Sequence, residues 1–370
     1  MVEHRHLATV CFLADAQSVL TQRWLRHAAD RGDTVHVVTL DPSSASLTGV
    51  REHLVGRRIP RRVPRSLRMV LAIPEVRALV RRLRPDVVHS HYAWGFGIWG
   101  AATGRHPLVV SVWGTDVMST PHTSRLHAAV FRWVLRSADV LCATSADLAR
   151  ATSGFTDKPV VVTPFGVDTD LFHPAITRPA VPGEGPRATC RFGMVKRLDA
   201  NSGIEVLLRA MALPQVPAGA TLDVIGAAPD DRWLELAAEL GLSARVRFLG
   251  LLPSEEVAHH LREWDVAIQP SRWVEGFGVS ALEASASGIP VVATGVGGLA
   301  EVVRDGVTGL LVPPNDAEAL ANAMAALATD PALRARLGAG GREWVVGRYD
   351  RGTAEETMDR VYDDVLGGSQ

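Results

Sequence analysis

The chain has 370 residues, a formal charge of −1, 47% hydrophobic and 21% charged residues, and a mean hydropathy of +0.10. That length exceeds one ordinary core and predicts two domains. The composition excludes disorder, and the balanced charge excludes a global field for nucleic acid. Leu7 to Leu13 is too brief an apolar run for a signal peptide or membrane span and reads as a first buried strand. Gln17–Arg31 follows as a helix, with Leu20, Trp24 and Ala28 on one face and Gly32 as its stop. Val35–Leu40, Asp86–Ser90, Leu108–Trp113 and Val140–Thr144 are the next strands. Between them, residues 51–84 hold 11 Arg against Glu52 and Glu75, interleaved with Val63, Leu67, Val70, Leu71 and Ile73. A basic amphipathic segment of this kind suits peripheral contact with an anionic membrane, or a solvated helix face.

The rhythm breaks near Gly166, and Pro174 to Pro186, rich in Pro, Gly and Ala, reads as an inter-domain linker. Alternation then restarts with strands at Thr189–Val195, Thr221–Ile225, Val246–Leu249, Val266–Pro270, Pro290–Ala293 and Gly309–Val312. Strands separated by helices predict two Rossmann-like parallel-sheet domains facing a cleft, with ligands beyond the strand C-termini. The tail from about Arg342 to Leu366 is helical in pattern and is expected to return to the N-terminal domain. The division expected is 1–169, 170–345 and a C-terminal helix over 346–370. Cys11, Cys142 and Cys190 have neither metal-ligand spacing nor an even count, so they read as buried thiols of a reducing cytosol.

The most informative stretch is Gln269-Pro-Ser-Arg-Trp-Val-Glu-Gly-Phe-Gly-Val-Ser-Ala-Leu-Glu283. A strand ends near Pro270, a loop follows, and a helix opens near Gly278. Gly276 and Gly278 let backbone approach a ligand, and the unpaired N–H groups of the first helical turn suit a phosphate. Glu275 in the loop and Glu283 in the helix can each accept two hydroxyl hydrogen bonds, as a hexose and a ribose offer. A second strand–glycine–helix unit follows at Ala284 to Thr294, Gly297-Gly298 and Glu301, then Asp305-Gly306 and Gly309 to Asp316. Asp168-Thr169-Asp170 spells a metal–diphosphate pattern but reads as a turn. A dehydrogenase glycine motif, a P-loop lysine and a zinc cluster are absent from the sequence.

Glu275 to Asp316 resembles the donor-site signature of the family-4 retaining glycosyltransferases: two glutamates eight apart, an A-x-G-x-P-V-V-A-T run and a G-G-x-x-E turn. Val162 to Pro174 resembles that family's inter-domain motif, and Pro85-Asp-Val-Val-His-Ser-His91 its N-domain motif. The resemblance implies a GT-B fold and retaining, metal-independent transfer of a sugar from a nucleotide diphosphate, UDP being commonest. The acceptor is left open: an envelope glycan or lipid-linked molecule fits the basic 51–84 segment, and a small molecule fits the unusual acceptor loops. It implies front-face transfer, the departing phosphate oxygen helping to remove the acceptor proton. Glu275 would contact the transferred sugar and Glu283 the ribose. Backbone at Gly276, Phe277, Gly278, Val279 and Ser280 would meet sugar and diphosphate, with Arg197 and its neighbour Lys196 as cations. Asp116 and His91 are the further catalytic candidates, and Asp15, Gln17, His89 and Trp113 would line the acceptor side. No metal or other cofactor is expected; the partners are the nucleotide sugar and an acceptor, without nucleic acid, in the cytoplasm or at the inner membrane face.

Three positions depart from the family pattern. Ser202 stands where a Lys is usual, Trp113 where a His is usual, and Ala14-Asp15-Ala16-Gln17-Ser18 where a glycine pair is usual. Trp113 and Ser202 motivate the alternative, a degenerate GT-B protein that binds a nucleotide sugar or a partner without transfer. An epimerase or phosphorylase of the same fold is a third reading.

Overall fold

The computed structural model describes residues 7–175, 189–227 and 231–367. The chain forms two compact units. One holds the described residues up to Pro164 together with those from Glu355 onward; the other is Phe165–Ala354.

Seven strands build the first unit: β1 (Thr9–Leu13), β2 (Thr34–Thr39), β3 (Val50–Leu54), β4 (Val87–His91), β5 (Leu108–Val112), β6 (Val140–Ala143) and β7 (Val160–Val162). All pair in parallel, in the order β3-β2-β1-β4-β5-β6-β7. The central strands β1, β4 and β5 are buried along nearly their whole length because helices cover both faces of a parallel sheet, and β4 is the one that ends in polar residues, His89-Ser90-His91. Cys11, Leu13, Val88, Val110 and Leu141 enter one core with Trp99, Phe131 and Leu135 from the helices. Helix Val19–Asp30 starts where the Ser18 hydroxyl accepts from Thr21 N–H and ends before Gly32 at φ 93°.

The second unit has β8 (Arg191–Val195), β9 (Thr221–Ile225), β10 (Val246–Gly250), β11 (Val266–Gln269), β12 (Val291–Thr294) and β13 (Gly309–Val312). Their order is β10-β9-β8-β11-β12-β13, again parallel. Within it Asp223, fully buried, is satisfied by Arg247 through two hydrogen bonds of 2.8 and 2.9 Å and by the Trp264 indole N–H at 3.1 Å. All six strands of this unit match the sequence reading.

Four expectations need correction. β3 and β7 were not read as strands. Both are sheet edges, and β3 carries exposed Arg51 and Glu52, so neither shows a buried apolar run. The 51–84 stretch is therefore not one amphipathic segment. It is β3, a loop, helix Arg65–Leu71 and helix Ile73–Leu83, and only the latter buries a face, through Val76, Leu79 and Val80. The tail is two helices, Pro331–Tyr349 and Arg351–Gly367, rather than one. The break at Asp350 occurs because Val167 inserts there: its N–H donates to Tyr349 C=O at 2.8 Å and its C=O accepts from Arg351 N–H at 2.9 Å. That docking puts Val167 in the second unit, so the division falls at 164/165 rather than 169/170. The expected linker lies, beyond Ala175, outside the described residues. From Glu355 the last helix belongs to the first unit. Asp359 receives Arg31 at 3.0 Å and His27 at 2.8 Å, and the Tyr362 hydroxyl meets His89 Nδ1 at 2.7 Å.

Candidate donor and acceptor sites

In the second unit, β8 and β11 are neighbours, so the chain segments leaving their C-terminal ends lie side by side. Lys196 follows β8, and Ser271 to Gly278 follow β11. Lys196 Nζ pairs with Glu275 Oε2, and the Ser271 hydroxyl donates to the same oxygen at 2.9 Å. The Glu275 backbone is fixed from the other side, its C=O accepting from Gly298 N–H at 2.9 Å. A Cβ at Gly297 would strike Glu275 C=O, and one at Gly298 would strike Gly276 C=O and Phe277 Cα. The glycine pair is thus the floor on which the Glu275 loop rests. Thr294 adds a hydrogen bond of 2.7 Å to Ser271 C=O.

Gly278, at φ 92°, opens helix Val279–Ala286 in a conformation that favours glycine. Ala281 and Leu282 N–H groups both reach Gly278 C=O, so the helix's own bonding starts there and the amides of Val279 and Ser280 belong to its open end. Partial positive charge accumulates at that end. Phe277 turns its ring inward, 2% exposed, against Tyr349 at 5.4 Å and Phe165 at 6.3 Å, so this residue offers a ligand its backbone rather than its ring. Glu283 sits one turn into the helix and is 8% exposed. Arg197 does not join this group: its side chain is 79% exposed and pairs with Asp199 at 2.7 Å. Ser202 is fully buried.

Sequence reasoning missed Asn201. Its Oδ1 accepts from Trp273 N–H at 3.1 Å and Val274 N–H at 3.2 Å, and its Nδ2 donates to Val274 C=O. Nothing in the local sequence marks it, because its partners lie about 73 positions away. The indole of Trp273 on the same loop is 51% exposed, with the Arg272 guanidinium 4.8 Å from its ring.

In the first unit, β1, β4 and β5 are adjacent, and Asp15, His91 and Trp113 follow or end them. Trp113 packs on His91 at 4.5 Å and on Tyr92 at 4.9 Å between ring centroids. His91 is fully buried; Nδ1 meets the Thr21 hydroxyl at 3.3 Å, and Nε2 has no protein partner. Burial, reinforced by His89, holds its pKa well below 6.5. His89 is sealed between Ser111 at 2.8 Å and Tyr362, and burial pushes its pKa down to about 3. Its ring is part of the attachment of the last helix. Asp116 is buried, and its carboxylate accepts from Ala93, Trp113 and Gly114 N–H at 2.8, 3.1 and 2.9 Å. Burial raises its pKa, against the lowering effect of those amides. This carboxylate organises the loops after β4 and β5. Asp15 accepts from Gln17 N–H at 3.1 Å and from Arg65 at 3.0 Å, and Gln17 is exposed. Among the described residues, no group of three or more His, Cys, Asp or Glu side chains is placed to hold a metal ion.

Comparison with known proteins bears on family and fold. The model of the "Glycosyl transferases group 1" family matches residues 189–344, and that of "Glycosyl transferase 4-like" matches 9–145. A D-inositol 3-phosphate glycosyltransferase of Stackebrandtia nassauensis is 35% identical over 319 residues, 76% of this chain and 67% of that protein. Among solved structures, sucrose-phosphate synthase from Thermosynechococcus elongatus superposes with a TM-score of 0.85 at 25% identity, covering 97% of this chain and 99% of that one. Anabaena Alr3699/HepE, in complex with UDP and glucose, gives 0.79 at 20% identity over 96% of this chain and 100% of that one. With two parallel Rossmann-like units and these relatives, the chain belongs to the group 1 glycosyltransferases of GT-B fold.

Proposed function

We propose that this chain is a retaining, metal-independent glycosyltransferase that moves a sugar from a nucleotide diphosphate to an acceptor. One observation carries the reading: Glu275 is held by Lys196 and Ser271 beside the open N-terminus of helix Val279–Ala286. A carboxylate suits sugar hydroxyls, and a cation with helix N–H groups suits a diphosphate, so the two halves of a nucleotide sugar find complementary groups where the segments after β8 and β11 meet. Glu283 is the residue for the ribose. As the sugar leaves, negative charge grows on the diphosphate, and Lys196 with the helix amides stabilises it without a metal. The phosphate oxygen takes the acceptor proton on the same face. Lys196, rather than Arg197, is the cation beside Glu275, which supports its taking over from the lysine replaced by Ser202.

UDP is the first nucleotide to test, since the structurally similar HepE was solved with UDP and glucose. The acceptor class is an envelope glycan, a lipid-linked or a small molecule such as the inositol phosphate that the Stackebrandtia relative is named for. Calorimetric titration with UDP, GDP and ADP, with and without EDTA, checks the donor site. One nucleotide should bind equally in both conditions, and Glu283→Ala should weaken it about tenfold, a loss of 1.4 kcal/mol. Loss of binding in EDTA would refute metal independence. Binding of a nucleotide sugar without transfer to any acceptor would favour the degenerate reading, which the exposed Arg197 and buried Ser202 motivate. Proton NMR of the product's anomeric configuration decides retention.

Peripheral membrane contact is part of the same proposal. Helix Arg65–Leu71 packs Met69 against the core and exposes Leu67, Val70 and Leu71 at helical spacing, 48%, 52% and 52%, beside exposed Arg61, Arg62 and Arg65. Apolar insertion with a basic rim suits an anionic bilayer. The three cysteines are buried free thiols, as suits a reducing cytosol, so the inner membrane face is the surface proposed. Sedimentation with phosphatidylglycerol vesicles should retain the protein, phosphatidylcholine vesicles should not, and Leu67→Glu with Leu71→Glu should release it. Equal sedimentation with both lipids would overturn the contact.

A further inference from the structure

We infer that Asn201 is a positioning residue for Glu275, acting through the loop that carries it; this rests on the reading of that loop as the sugar-binding element. The loop from Ser271 to Glu275 has no regular structure, so its backbone groups need partners from elsewhere. Asn201 supplies them. Its side chain holds three successive peptide units, accepting from Trp273 and Val274 N–H groups and donating to Val274 C=O. Its own C=O accepts from Arg272 N–H at 3.0 Å, and its N–H is tied to Asp199 Oδ1 at 3.0 Å. The planar amide carries an acceptor and a donor on separate atoms; Asp lacks the donor and Ala lacks both, so either in this place leaves at least one of the three backbone groups unpaired.

The turn bearing Asn201 is fixed in turn. Gly203, at φ 74°, lies directly against Pro270 C=O, where a Cβ has no room. Ser202, in the same turn, is buried with its hydroxyl accepting from Ile204 N–H at 3.3 Å. Turn 199–203 and loop 270–275 therefore form one clamped unit, and Glu275 emerges from it facing Lys196. The backbone next to Glu275 is held at Val274 by Asn201 and at Gly298 by the Glu275 carbonyl. Release of the Val274 side lets the carboxylate leave Lys196 and Ser271 while the rest of the diphosphate site stays in place. The consequence is selective: sugar binding depends on Asn201, and binding of the bare nucleotide does not.

Calorimetry on the full chain tests this with UDP, GDP and ADP and with UDP-glucose, GDP-mannose and ADP-glucose, for wild type, Asn201→Ala, Asn201→Asp, Glu275→Ala and the Asn201→Ala/Glu275→Ala double variant. Bare nucleotide should bind Asn201→Ala as it binds wild type, while the extra affinity conferred by the sugar should fall about tenfold. Asn201→Asp keeps both acceptor contacts but sets a carboxylate oxygen against Val274 C=O, so it should lose the sugar's extra affinity as well. The double variant should lose no more than Glu275→Ala alone, because the two residues act through one contact. Additive losses, or equal losses for nucleotide and nucleotide sugar, would overturn the inference while leaving the donor site standing. If wild type binds a nucleotide but none of its sugars more tightly, the sugar-binding reading fails and the inference with it.

Discussion

At the scale of single residues, Glu275 has three tethers, two on its carboxylate and one on its backbone, and each side makes its own prediction. Its carboxylate faces Lys196 and Ser271, and its backbone rests on Gly298. Glu275→Gln keeps the shape and removes the charge. Sugar transfer measured with the productive donor should drop about a hundredfold or more, the size seen when a preorganised electrostatic contact is lost. Wild-type turnover would sink the assignment. Gly298→Ala adds a methyl where Gly276 C=O and Phe277 Cα already lie, so the loop must shift. Activity should fall; unchanged activity would show that the glycine pair is not the floor of the loop. Glu275 was legible in sequence because glycines on the same loop announce close backbone approach. Asn201 was not, since an asparagine in a turn is ordinary and its three partners lie in a segment that only folding brings near.

At the scale of elements, the last helix is held to the first unit by a small buried set of polar contacts. Asp359 and Arg31 side chains are 5% and 8% exposed and 3.0 Å apart, and His27 also reaches Asp359. Arg31 keeps a second partner, Asp33, whose Oδ2 accepts from its Nε at 2.8 Å, so Asp359→Ala should cost about 2 kcal/mol in urea unfolding, the worth of a charged hydrogen bond. Tyr362→Phe, which deletes only the hydroxyl against His89, should cost about 1 kcal/mol. A Tyr362→Phe loss equal to that of Asp359→Ala would mean that packing rather than polar pairing attaches the helix. The break at Asp350 was invisible in sequence because Asp350 and Arg351 are acceptable helix residues, and the interruption is imposed by Val167. Central strands were readable because helices on both faces require unbroken apolar runs. Edge strand β3 was not, because Arg51, Glu52 and His53 break its apolar run, and β7 was not, because its three valines are too short a run to mark a strand.

At the scale of the molecule, the buried histidines make stability depend on pH. His89, with its pKa pushed down to about 3, and His91, held well below 6.5, stay neutral in the fold. The unfolded chain takes up both protons as pH falls through about 6.5. It then binds more protons than the native state, so stability decreases with falling pH, by about 1.4 kcal/mol per pH unit for each histidine below that point. Asp116, its pKa raised by burial, works in the opposite direction at lower pH. The urea midpoint should therefore be clearly lower at pH 5.5 than at pH 7.5; equal midpoints would mean that these rings reach solvent.

By itself the sequence determined the alternation of strands and helices, the two parallel sheets, and the donor motif from Glu275 to Asp316, because these are written in local periodicity and in glycine spacing. Only the tertiary structure decided which side chains meet. Lys196 and Glu275 are 79 positions apart and pair because β8 and β11 are neighbours in the sheet, while Arg197, one residue on, faces solvent. His89, one strand position before Ser90 and two before His91, is consumed by Ser111 and Tyr362, 22 and 273 positions away. Strand order and the burial it imposes are non-local quantities, and they, not the motif, select which cation serves the carboxylate and which histidine is left with an unpartnered nitrogen.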